Sequence, residues 1–82
     1  MATQRCLPLT WVGEQDGVLT SFVFRGEPKQ VERVLKQWSR ARYGSERVYD
    51  VTLFTIMSTD RMIATVARDN TRHRWYLLRV LD

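Results

Sequence analysis

The 82-residue sequence holds one cysteine, one histidine, two prolines, no low-complexity stretch and no internal repeat. Each scarcity excludes something. Cys6 alone cannot close a disulfide within the chain. Cys6 and His73 together fall short of the about four Cys or His ligands that a structural zinc site takes, and no cofactor is implied. No apolar run approaches the roughly 20 residues of a membrane span. Pro8, Thr10 and Gly13 interrupt any apolar segment after Arg5, so no signal peptide is expected. A single cysteine without an export signal points to a reducing, cytoplasmic compartment.

Catalytic sets are equally scarce. There is no Walker loop, no G-x-G-x-x-G and no G-x-S-x-G. A nucleophile needs a base beside it. The one histidine, His73, lies between Arg72 and Arg74, cations that oppose the positive charge a base takes up. His73 reads as a half-buried polar residue of a sheet and Cys6 as a small apolar core residue. Glu14 and Asp16 share a Gly-rich turn, and Asp50, Asp60 and Asp69 fall near strand ends, where turns favour Asp. The expectation is a non-enzymatic protein with no evident small-molecule substrate.

What is present is the composition of one small folded domain spanning residues 1–82. Apolar residues make up 44% and charged residues 27%, near the globular average. Such a domain buries a modest fraction of its surface, so self-association or a partner would add stability. The net charge is +4, and 11 of the 13 basic residues are arginine. Arginine forks onto phosphates and carboxylates and stacks on rings.

Patterning predicts an α+β fold of order ββαβββ, an antiparallel sheet of about five strands with one amphipathic helix on one face. Residues 5–12 alternate as a strand, with Pro8 placing it at an edge. A turn over 13–17 leads to a second strand over 18–25. Gly26-Glu27-Pro28 then reads as the opening of a helix running to Tyr43, with Gly44 as its stop. Its apolar residues, Val31, Val34, Leu35, Trp38 and Ala41, recur at helical spacing. Three strands follow over 47–57, 61–68 and 71–81. Asp69-Asn70 as a two-residue turn would set Val66 opposite His73, Ala64 opposite Trp75 and Met62 opposite Leu77. The strand over 47–57 is apolar on both faces, so something beyond the helix should cover its second face, a protein partner or a second copy. Which of its faces is buried stays open, because the length of the 58–60 connection sets it.

Two surfaces stand out as binding candidates. On a helix, Lys29, Arg33, Lys36 and Arg40 would form an acid-free stripe about 60° wide and ~16 Å long, opposite Trp38. On the last hairpin, Arg72, Arg74 and Tyr76 would share a sheet face with Arg61 and Arg68 near them, a pairing able to hold phosphates and stack bases. The plainer reading of both is solvated charge and cross-strand pairing with aspartates. The functional expectation is a binding module that engages nucleic acid or a nucleoprotein complex. The alternative is a small protein-binding inhibitor or adaptor of the phage or mobile-element kind, anti-CRISPR proteins among them, acting through protein contact.

Overall fold

Two tight turns organise the N-terminal half. Asp16-Gly17 and Arg25-Gly26 each place two consecutive residues at positive φ, 54° and 79° in the first and 53° and 77° in the second. This is the backbone of a two-residue hairpin whose twist matches its strands. The first turn joins β2 (Val12–Gln15) to β3 (Val18–Phe24), and the second joins β3 to β4 (Glu27–Tyr43). The computed structural model describes the backbone of residues 7–43 and 48–81, and side chains over 7–41 and 50–81. The expectations for Cys6 and for Gly44 fall outside the described residues.

The helix expected over 28–43 is a strand, and the described residues contain no helix. The α+β, ββαβββ reading is therefore corrected to all-β. Gly26 does not precede a helix; it is the second residue of a hairpin turn. Pro28 is tolerated opposite Val23 because Val23 turns its N–H toward the Trp11 carbonyl, at 3.2 Å, and with it its own carbonyl away from β4, so this pair asks no ladder bond of the missing Pro28 N–H. The misleading periodicity has a specific cause. Beyond Gln30, β4 pairs with β5 (Val48–Ser58), and the register shifts between Val31 and Arg33 and again between Val34 and Lys36. Glu32 and Leu35 are β-bulge residues. Two bulges three residues apart put Val31, Val34 and Gln37 on one face, a three-residue period that imitates a helical stripe.

β6 (Ile63–Asp69) and β7 (Arg74–Val80) complete the meander, and β1 (Leu7–Leu9) pairs with β7. The seven antiparallel strands run in the order β1-β7-β6-β5-β4-β3-β2. The first strand is shorter than expected. It stops at Leu9, the chain bends at Thr10-Trp11, and Val12 enters a separate strand. The expected Asp69-Asn70 turn is also corrected. The connection covers Asn70 to His73, so Asp69 pairs with Arg74, Val66 with Leu77 and Ala67 with Tyr76. The Asp69 carboxylate stabilises the longer turn by accepting from the N–H groups of Thr71 and Arg72, at 3.0 and 3.2 Å. His73 is not half-buried in the sheet. It is exposed, at positive φ, and closes this turn.

Bent by its bulges, β4 carries β3 over the sheet until β3 meets β1, and the sheet curls into a half-barrel. The inner face is covered by β3, not by a helix. Leu19 and Phe22 pack there against Phe54, Ile56, Ala64, Val66, Trp75 and Leu77, all buried. Each large side chain buried this way contributes roughly 1.5–3 kcal/mol. The open end is closed by a polar cluster on Arg68. Its Nε donates to Glu14 on β2 at 2.6 Å, Nη1 to Asn70 at 2.6 Å, and Nη2 lies 3.2 Å from His73 Nδ1. Asn70 in turn donates to Thr52 at 2.9 Å and Asp50 at 3.2 Å. Arg68 thereby ties β2 to the far side of the half-barrel.

At the other end, Asp60 joins the β5–β6 turn to β4. It accepts from Lys29 and from the hydroxyl of the buried Ser58. The Lys29 hydrogen bond, with that of Ser58, lowers the Asp60 carboxyl to about 2, and the Asp60 hydrogen bond raises Lys29. A carboxylate lowered on folding stabilises above its unfolded value of about 3.9 and loses that contribution as pH falls toward the folded value. The melting temperature is therefore expected to fall between pH 5 and 2. Asp60→Asn should lower it at pH 6 and flatten this acid limb; an unchanged acid limb would remove Asp60 from the account.

Candidate functional site

The second face of the sheet, the outer face, has no strand over it among the described residues. Its composition follows from register. Residues directly opposite across a ladder share a face, so Trp38, Leu53, Ala67 and Tyr76 form one row across β4, β5, β6 and β7. Three strand spacings separate the two aromatic residues, about 14 Å. On either side run the rows Arg40–Val51–Asp69–Arg74 and Lys36–Thr55–Thr65–Arg79, with Arg33, Met57 and Ile63 beyond.

Arg40, Val51, Leu53, Ala67, Asp69, Tyr76 and Leu78 line a shallow trough of about 500 Å³ there. Leu78 joins it because a register shift opposite Thr65 and Val66 adds a residue to β7. The floor is apolar and half-buried, with no strand or helix over it among the described residues. Around it stand Arg33, Lys36, Arg40, Arg74 and Arg79, all exposed. The acid in the trough is already committed: Asp69 accepts from Arg72 Nη1 at 3.0 Å and from two backbone N–H groups. Burial opposes ionisation of Asp69, but these hydrogen bonds outweigh it and hold its carboxyl below the ordinary value. The trough thus pairs an apolar floor with a cationic rim.

The structure divides the residues expected to bind. Arg33, Lys36 and Arg40 do lie on one face, although on a strand, and Arg74 and Tyr76 share that face from the other side. Lys29 does not join them; it pairs with Glu27 and Asp60 at the opposite end of β4. Arg72 sits in the 70–73 turn, paired with Asp69. Arg68 belongs to the inner-face cluster, and Arg61 occupies the β5–β6 turn at positive φ. Trp38, expected to pack a helix onto the sheet, instead lies on the outer face with Lys36 Nζ 5.0 Å from its ring centre. Arg79 was not among the expected residues at all. The signal for Trp38 was in the sequence: Lys36, Trp38 and Arg40 alternate at period two.

Among the described residues, no three His, Cys, Asp or Glu side chains come together as metal ligands, and no helix is long and apolar enough to cross a membrane. The chain matches no family model, no curated protein and no solved structure.

Proposed function

We propose that this chain is a non-enzymatic binding module whose outer sheet face takes a single strand of nucleic acid. The observation that carries this is the row Trp38–Leu53–Ala67–Tyr76, an apolar floor with an aromatic residue at each end, set inside a rim of five cations. Base faces stack on Trp38 and Tyr76, and phosphates meet Arg33, Lys36 and Arg40 on one side and Arg74 and Arg79 on the other. Every base has a π-face, so such a platform binds with little sequence preference. A duplex keeps its bases stacked inside and would leave the apolar floor unused. Two copies packed face to face would oppose like charges, which speaks against the trough as a homodimer seam.

A second reading is favoured by Val51, Leu53 and Leu78, aliphatic residues that stacking does not require. An acidic amphipathic segment of a protein would use the same floor and rim, as an inhibitor or adaptor would. The two readings part on one titration. A labelled 20-mer, single-stranded and duplex, is titrated across salt. For single strands each phosphate contact contributes about −0.7 to the slope of log K on log salt, so five contacts give about −3.5. Arg33→Glu and Arg74→Glu should each weaken binding and flatten the slope, whereas Arg72→Gln should not. No binding of either oligomer at low salt would discard the nucleic-acid reading and leave the acidic segment.

A further inference from the structure

We infer that a bound single strand runs on past the outer row, along the convex side of β4, to a second base site built on Trp11. This rests on the nucleic-acid reading of the outer row and extends it from one stacking surface to two. Trp11 is 73% exposed, more than any other large apolar side chain among the described residues. A single exposed apolar residue is ordinary, but Trp11 borders a hollow. Its carbonyl takes the Val23 N–H, which sets it level with Val23 and, one strand further on, with Pro28. The next row is Gly13–Ser21–Gln30. Both rows are outer, since the alternate residues Phe22 and Phe24 pack with the core inside. Together they line a hollow of about 320 Å³. Gly13 gives it its shape, because a Cβ there would collide with Ser21 Oγ and push that hydroxyl aside. An indole beside the Ser21 hydroxyl and the Gln30 amide suits a base, which has a flat π-face and polar edges.

The occupant follows from what joins this hollow to the outer row. The outer residues of β4 run in the order Pro28, Gln30, Arg33, Lys36, Trp38. Two cations therefore stand between Trp11 and Trp38. Both are exposed, and neither pairs with a carboxylate among the described residues. Lys29, on the other face, is held by Glu27 and Asp60. The acid on this length is Glu32, at the first bulge. Phosphates for the two cations and a base for the indole at each end are what one nucleic-acid strand carries at every step. A peptide supplies both only in a particular sequence. The eight residues from Gln30 to Trp38 span at most about 26 Å of strand, which about eight nucleotides cover at a rise of roughly 3.4 Å. The outer row takes about four more over its ~14 Å. A path of about twelve nucleotides lies within the roughly 4–16 of single-strand sites. The two bulges bend this stretch, so the bound strand follows the outside of the curve.

The test compares oligo-dT of 6 and of 20 nucleotides, by anisotropy at low salt. The shorter covers the outer row alone. Trp11→Ala should weaken the 20-mer about 5-fold or more and change the 6-mer by less than about 2-fold. The salt slope for the 20-mer should not change, since no cation is removed. Trp11→Phe should keep most of the affinity and Trp11→Leu should not, which separates stacking from bulk. In Trp38→Phe the outer row keeps a ring and Trp11 becomes the exposed indole, with Trp75 in the core. The 20-mer should quench it, and the 6-mer much less. If Trp11→Ala binds the 20-mer as wild type does while Trp38→Ala weakens it, the second site is overturned and the outer row stands. No binding of the 20-mer by wild type removes both.

Discussion

Removing both aromatic side chains of the outer row, Trp38→Ala with Tyr76→Ala, is expected to weaken binding of a single-stranded 20-mer at physiological salt by about 30-fold or more. Base stacking on an aromatic side chain is worth about 1–3 kcal/mol per base, so each single change should weaken binding about 5- to 150-fold. The two residues lie about 14 Å apart by strand spacing with Leu53 and Ala67 between them, far enough for the losses to add. The joint loss is then about 30-fold at least. The salt slope should stay near its wild-type value, because stacking releases no counterions. That separates the aromatic variants from Arg33→Glu and Arg74→Glu, which act on the slope. Fluorescence offers a direct reading in a Trp11→Phe background, which removes the exposed Trp11: a base on Trp38 should quench it, while Trp75 is buried in the core and out of reach. Single-strand affinity unchanged in the double variant would remove the outer row from the binding surface.

Phe54→Ala should cost most of the stability. Phe54 is 1% exposed, and its ring lies 5.5 Å from that of Trp75 at 34°. It stands on the inner face where β3 closes over the sheet, so truncation leaves a cavity bounded by two layers. Such changes cost about 3–5 kcal/mol. At roughly 0.05–0.15 kcal/mol per residue, a domain of this size has only about 4–12 kcal/mol in total. Urea unfolding should show the midpoint shifted sharply down, with part of the population unfolded in water at the low end of that range. Phe54→Leu keeps most of the volume and should lose much less. Equal losses for Leu and Ala would mean that packing at this position is not what holds the two layers together.

How far the sequence shows all this depends on the element. β3, β5, β6 and β7 were legible because alternation at period two survives where the ladder is regular. Tyr76 and Arg74 were placed on the face they occupy for that reason, even though the turn between β6 and β7 is two residues longer than expected. β4 was not legible. Its bulges at Glu32 and Leu35 replace period two by period three over 31–37, and propensity could not correct the error, since Glu, Arg, Leu, Lys and Gln all favour helices. The charged side of that segment survived the mistake because Arg33 and Lys36 are spaced three apart, which one helix face and a doubly bulged strand treat alike. Trp38 did not survive it. A helix puts it opposite the cations and the strand puts it among them, so a residue at one end of the outer row reads from the sequence as core.

The two bulges also govern how this protein could tolerate change in length. A bulge residue faces no partner, so removing Glu32 or Leu35 leaves Val31 opposite Ser58, Arg33 opposite Met57 and Val34 opposite Ile56. No side chain changes sides. What is lost is bend, and with it the reach of β3 toward β1. A single-residue deletion at either site should therefore keep the outer row in line while opening the half-barrel. A deletion anywhere from Gln37 to Ala41 would reverse the facing of the strand beyond it. In this chain curvature and the two-sided pattern of side chains are separable characters, written in different residues of the same strand.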